Sequence, residues 1–329
     1  MKKFFLFLLI LSFSPVFAEI KFSLRPLVSF GVGEHNEYVY YKYEENDGKS
    51  ALAKLSELNW EQNGLIFLGL DADFTRKNMF WNVGVKFAIP VLSGIMADSD
   101  WLNVDKLPTV SLDKAEVKTN YTESECKTNG VFELDGKFCY RLGENENLAF
   151  CPFAELSYSY NSITAWGMNG KYSKTRDSEG CLLPWDSETS VKKYAPYDEA
   201  IMKLERHWLV LWLGADTQIS IKKINISFAL SVCPAAICLS KDEHILRSLV
   251  FLDLIYGFFS AAKMESSVGI SVTKNSSLNF FVDMQASLLM KGVSFIGTSN
   301  SNDYGIDTED VPGADFKSFE AGVSYCWKF

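Results

Sequence analysis

The sequence predicts an all-β protein: a transmembrane antiparallel up-and-down β-barrel of about ten strands with long extracellular loops. Three observations predict it. They are an apolar leader, a strict two-residue alternation of apolar and polar side chains, and an aromatic strand that closes the chain on Phe329.

The leader reads MKKFFLFLLILSFSPVFAEI, with two lysines, an apolar core and Val16-Phe17-Ala18 before Glu19. This layout predicts a secretory signal peptide over 1–18, cleaved after Ala18. A single membrane anchor is the alternative, weakened by the short apolar run and Pro15. Residues 19–329 are then one domain, a barrel with a groove formed by extracellular strand ends and loops.

Along the mature chain, Ile20, Phe22, Leu24, Val28, Phe30 and Val32 share one face, with Lys21, Ser23, Arg25 and Ser29 between them. Trp81, Val83, Val85, Phe87 and Ile89 form a second stripe, and Ile224, Ile226, Phe228, Leu230 and Val232 a third. At the C-terminus Phe319, Ala321, Val323, Tyr325, Trp327 and Phe329 alternate with Glu320, Gly322, Ser324, Cys326 and Lys328. Period two places each stripe on one side of an extended strand. An apolar strand edge is an aggregation hazard in water, and a closed barrel facing lipid removes it. Turns are expected at 75–78, 222–225 and 274–277, and long polar loops over 98–148, 170–200 and 292–315. Residues 248–264, SLVFLDLIYGFFSAAKM, read as a membrane strand followed by a turn, with a buried helix as the alternative.

Hydrophobic residues make up 47% of the chain and aromatics 14%. The formal net charge is −9 with no basic stripe, which excludes nucleic acid as a partner. An acidic rim suits cationic peptides, although acidic surfaces also serve solubility alone. There are seven cysteines. Cys126–Cys139 and Cys233–Cys238 are candidate loop clips by spacing, with Cys151 and Cys181 unassigned and Cys326 expected to be free. Paired C-x-x-C knuckles do not occur, so no zinc site, no other metal and no cofactor is expected.

Two short patterns carry chemistry. In GIMADSDWLN, Asp98 and Asp100 share a face of an extended strand, and the odd-numbered lipid stripe before them turns both inward. Two adjacent carboxylates cannot both ionise freely, which suits proton sharing with a water. In LSKDEHILR, Asp242 shares a face with His244, one of three histidines. A carboxylate beside an imidazole orients it and supports its cation. For each pattern the bland alternative is a solvated loop. Parity from the 224–232 stripe turns Asp242 and His244 toward lipid, so one bulge is required, expected at Pro234 in CPAAIC. His35, expected in a loop, and His207, expected on a strand edge, are read as structural.

Asp-x-Asp-Trp after an inward strand and Asp-Glu-His far downstream, in a barrel with a leader and a terminal Phe, resemble the omptins, bacterial outer-membrane endopeptidases with ten-stranded barrels. LSELNWEQNG (56–65), SITAWGMNGKYS (162–173) and GADFKSFEAGVSYCWKF (313–329) are similar to further stretches of that family. The resemblance implies that His244, oriented by Asp242, acts with Asp98 to activate a water against a peptide carbonyl, while Asp100 tunes or shares the proton. It implies neither a metal nor a covalent intermediate. It sets Glu37 where the family holds a carboxylate that receives the basic side chain before the cut, and Ser240 where a second carboxylate stands. It sets Leu156, Tyr158 and Tyr160 where the family contacts lipopolysaccharide, without the Glu and Arg found there. The implied partners are outer-membrane lipid and extracellular peptides or proteins, cationic ones included. The implied state is a monomer in the bacterial outer membrane with its site facing outward. The other readings are a non-catalytic barrel acting as adhesin or host-protein binder, a passive porin, and a metal site built from the two acidic patterns.

Overall fold

A computed structural model describes residues 20–142, 147–299 and 303–329; the signal-peptide expectation lies outside them. Among the described residues fourteen strands form one antiparallel sheet: β1 (Lys21–Glu44), β2 (Ser50–Arg76), β3 (Met79–Pro90), β4 (Gly94–Asp100), β5 (Asn120–Tyr140), β6 (Leu148–Tyr172), β7 (Val191–Ile221), β8 (Ile224–His244), β9 (Leu249–Gly257), β10 (Ala261–Thr273), β11 (Ser276–Ser287), β12 (Met290–Thr298), β13 (Gly305–Ile306) and β14 (Asp310–Lys328). The sheet closes on itself. At one end the ring runs β1, β2, β3, β5, β6, β7, β8, β10, β11, β14; at the other β4, β9 and β12 take the places of β3, β10 and β11.

The strand count exceeds the ten expected because three staves of the ring are each broken in two, and β13 adds a two-residue extension beside β12. The breaks carry Val91-Leu92, Phe258-Phe259 and Leu288-Leu289, all exposed. These apolar pairs continue the lipid-facing belt where the backbone ladder is interrupted. Residues 248–264 hold the strand β9 and then a break, as expected, and the segment ends inside the first residues of a second half-stave, β10.

Alternation builds the walls. Val83, Val85, Phe87 and Ile89 of β3 and Ile224, Ile226, Phe228, Leu230 and Val232 of β8 are exposed on the outside. Tight turns link β2 to β3, β7 to β8 and β10 to β11 at one end, where Lys77 and Lys222 adopt positive φ, as two-residue hairpin turns require. At that end the Phe329 ring lies 5.7 Å from Phe22, and the Phe329 amide donates to the Phe22 carbonyl at 2.8 Å. The longer connections gather at the opposite end. A membrane strand needs about 9–11 residues, whereas β2 has 27 and β7 has 31, so the walls continue far beyond the belt.

Two of the three long segments read as loops hold whole or nearly whole strands. Residues 98–148 contain all of β5, leaving a 101–119 connection that holds a 3-10 turn (Leu102–Lys106) and a one-turn helix (Leu112–Ala115). Residues 292–315 contain most of β12 and the start of β14. His35 belongs to β1 rather than a loop and bonds Gln62 at 3.0 Å. His207 sits within β7, 2.8 Å from the Tyr158 hydroxyl. The cysteine clips are also corrected: all seven thiols are free. Cys126 and Cys139 lie on the single strand β5, and Cys233 and Cys238 on β8. At about 3.3 Å per residue these pairs are separated well beyond disulfide reach.

The interior has two storeys. Below, a cavity of about 610 Å³ is lined by charged side chains. Lys86 there meets Glu320 at 2.6 Å and Glu133 at 2.8 Å, and Lys263 meets Glu155 at 2.6 Å. Above it, two apolar clusters cross the lumen, one around Trp208, Trp212 and Phe316 and one around Trp60, Met96 and Leu204. Trp208 and Phe316 pack edge to face at 5.1 Å. This layer is the floor of the upper mouth.

Candidate active site

β4 supplies the first acidic pair. Ile95 is exposed and Met96 fully buried, so even positions face inward and Asp98 and Asp100 follow Met96 on that face. The strand is short but held on both sides. Asp98 stands opposite Leu58 of β2 and Thr122 of β5, and Asp100 opposite Ser56 and Asn120. Asn120 Nδ2 donates to Asp100 Oδ2 at 2.9 Å.

Burial raises the Asp98 carboxyl well above the usual range, and the negative charges of Asp100 and Asp242 add to the rise while Arg247 opposes it. Burial raises Asp100 as well, against hydrogen bonds from Asn120 and Ser56 and the positive charges of Arg247 and His244. The couple is therefore biased to hold a proton. Tyr172, at the top of β6 opposite Asn120, has its hydroxyl pushed up to about 12 by burial and then by Asp98 and Asp100.

The second pair ends β8. On β7 and β8, Leu211 pairs with Ala235 but Leu213 pairs with Val232, so one extra residue of β8 is accommodated around Cys233 and Pro234. This is a β-bulge, and it reverses the strand's facing. Below it the even-numbered residues Phe228, Leu230 and Val232 are exposed; above it Ile237 and Leu239 are exposed, while Ser240 and Asp242 are buried. β2 makes the same reversal: Gly31 pairs with Leu65 but Gly33 pairs with Gln62, with Gly64 at φ +70. Glycine takes that left-handed conformation without a Cβ clash, and the shift turns Trp60 and Leu58 into the lumen.

His244 Nε2 lies 2.6 Å from Asp242 Oδ2, and Asp242 is 2% exposed. Phe251 packs edge-on to the imidazole at 5.2 Å. With Nε2 held by Asp242, Nδ1 is the ring nitrogen left to exchange a proton, and the Arg247 guanidinium contacts it. Arg247 closes the 3-10 turn Ile245–Arg247, followed by Ser248 at φ +53. The charges of Asp242 and Arg247 act on Asp98, and those of His244 and Arg247 on Asp100. The two pairs therefore lie within electrostatic reach of each other and of Arg247.

Glu37 of β1 pairs with Leu58 of β2, which also pairs with Asp98, so both acids stand at one height on the two staves that flank β2. Ser240 is buried on β8 between Arg206 of β7 and Asp253 of β9. Leu156, Tyr158 and Tyr160 lie lower on β6, opposite Leu211, Leu209 and His207 of β7. Arg206, Arg247, Tyr172 and Asn120 were not singled out from the sequence. A signal existed for Arg206, which interrupts the inward stripe Leu204, Trp208, Val210 and Trp212. For the other three, which sit at strand ends or in a connection, no alternation marks the facing.

An imidazole in contact with a carboxylate, within electrostatic reach of a carboxyl couple biased to hold a proton, is equipped for general acid–base chemistry on a water.

The profile of the Omptin family matches residues 20–329. No curated protein sequence matches the chain. Among solved structures, the chain is similar to the outer membrane protease OmpT from Escherichia coli, with 15% identity, a TM-score of 0.72 and coverage of 93% of this chain and 97% of that one. Weaker likenesses are to the outer membrane protein OprG from Pseudomonas aeruginosa, with 10% identity, TM-score 0.30 and coverage of 93% and 95%, and to Neisserial surface protein A, with 9% identity, TM-score 0.24 and coverage of 92% and 99%. The OmpT likeness bears on the fold; the other two carry no argument.

Proposed function

Because this chain belongs to the omptin family and is a barrel of the bacterial outer membrane, we propose that it is an endopeptidase acting on peptides or proteins outside the cell. The observation that carries the reading is the Asp242–His244 contact of 2.6 Å in the mouth that also holds the Asp98/Asp100 couple.

In this reading Asp242 fixes the imidazole through Nε2, which leaves Nδ1 as the base that takes a proton from a water. Asp98 binds the same water from the opposite wall and, with Asp100, shares the proton that the tetrahedral intermediate needs. The imidazolium then protonates the leaving amine. Water is the nucleophile throughout, so no acyl-enzyme forms. Arg247 must leave Nδ1 before the water can approach, and a peptide entering the mouth displaces it. Glu37 and Ser240 line the recess beside the dyad and receive the substrate side chain next to the cut.

A barrel that only bound a host protein would have no use for carboxyls pressed together in its mouth. Like charges held close are costly and persist where they serve chemistry.

The test is refolding into detergent micelles followed by digestion of a mixed peptide library read by mass spectrometry. The native chain is expected to cut. His244→Ala is expected to lose roughly 10²–10⁴-fold in rate while keeping the heat-modifiable gel mobility of a folded barrel. Cutting by His244→Ala at the native rate overturns the assignment.

A further inference from the structure

Beneath the dyad lies a fully buried arginine that the acid–base scheme does not use. Arg206 projects inward from β7 and is 0% exposed. Its Nε donates to Ser240 Oγ at 3.2 Å, and a terminal nitrogen stands 3.9 Å from Glu37 Oε2. That separation allows attraction but not a hydrogen bond. Both terminal nitrogens are without hydrogen-bond partners, and so are Glu37 Oε2, Asp242 Oδ1 and Asp253 Oδ1. Ser240 pairs with Arg206 on one side and Asp253 on the other, so four staves bring one guanidinium together with three buried carboxyl side chains.

An arginine keeps its charge in any protein environment, and three carboxylates grouped under the mouth need a cation near them. The protein supplies that cation from its own wall. A basic substrate side chain reaching into this recess would meet the Arg206 charge, and an acidic one would meet Glu37, Asp242 and Asp253.

Resting on the endopeptidase reading above, we propose that Arg206 is the specificity-determining residue of this site. It occupies the acidic recess from within, so that the enzyme cuts beside uncharged residues rather than basic ones. Repulsion of both charge signs, more than a new attraction, sets the choice. This departs from the basic side chain that the resemblance sets against Glu37: Glu37 is present, but its counter-ion is already built in.

Removing the guanidinium tests this. Arg206→Ala leaves the carboxylates without a cation and opens the volume a basic side chain needs. In library digests the native chain is expected to favour uncharged residues beside the cut, and Arg206→Ala to gain at least about tenfold for Arg and Lys there, the size of one lost charge–charge repulsion. A native preference for basic residues, or no gain in the variant, overturns the proposal.

A second readout does not depend on cutting. Agmatine, a free guanidinium with an alkyl stem, is expected to raise the unfolding temperature of Arg206→Ala/His244→Ala and to leave His244→Ala alone unchanged. If agmatine stabilises the double variant while no form of the protein cuts peptides, the recess stands and the endopeptidase reading fails. If peptides are cut but agmatine has no effect, Arg206 does not hold the recess. Should Arg206→Ala not fold unaided, refolding with agmatine is expected to recover it; failure to recover overturns the proposal as well.

Discussion

The two storeys of the barrel interior are both lined with charge, yet they treat it differently. In the lower cavity three lysines are matched to carboxylates. Lys86 bridges Glu133 and Glu320, Lys263 reaches Glu155, and Lys137 meets Glu265 at 3.0 Å. In the upper mouth Asp98, Asp100, Asp242, Glu37 and Asp253 stand within electrostatic reach of Arg206, Arg247 and His244. Several of their atoms have no hydrogen-bond partner. Paired ions in a lumen are fill, satisfying one another where apolar packing would not suit the space. Crowded acids raised by their own neighbours are the mark of a working site.

Substitutions on each side of the floor should sharpen that contrast. The largest effect is expected below it and in stability alone. Lys86→Met leaves Glu133 and Glu320 facing each other uncompensated, a cost of about 3 kcal/mol, read as a lower midpoint in urea unfolding from micelles. The rate of peptide cutting by the folded fraction should not change; a fall would show that the lower charges take part in the chemistry.

Above the floor the expected effects appear in pH dependence. Asp98 is raised by burial and by the negative charge of Asp100. Asp100→Asn removes that charge, the Asp98 carboxyl falls, and the alkaline limb of kcat/KM, where the couple loses its proton, moves to lower pH by up to about one unit. An unmoved limb separates the couple from the rate. Arg247 acts in the opposite sense, since its charge holds both carboxyls down. Arg247→Gln should therefore shift the same limb upward, by less because Arg247 is exposed and screened. A shift in the same direction as Asp100→Asn contradicts the electrostatic account of the mouth.

Much of this was legible in the sequence, for reasons that also explain what was not. Lipid accepts only apolar side chains, so Val83 to Ile89 and Ile224 to Val232 announce their walls by parity. The bulge near Pro234 was legible because Asp242 and His244 face lipid without it. The breaks in three staves were hidden, because Phe258-Phe259 and Leu288-Leu289 are as apolar as the belt they interrupt. The upper half of β5, NYTESECKT, read as loop because it stands above the bilayer, where neither face must be greasy. Asp98 with Asp100 and Asp242 with His244 could each be paired by i, i+2 spacing. Arg206 could not be attached to either pair, since its neighbours Ser240 and Glu37 come from other strands, whereas Arg247 lies three residues after His244 in a turn where no alternation marks which way it points.

The central claim is that both pairs act on one water, and a double-mutant cycle tests it most directly. Rates of peptide cutting would be measured for Asp98→Asn, His244→Ala and the two combined, each confirmed as a folded barrel. Groups that work as a unit are far from additive, so the double variant is predicted to be no slower than the slower single one. Losses that multiply, or an Asp98→Asn variant that cuts at the native rate, would contradict it.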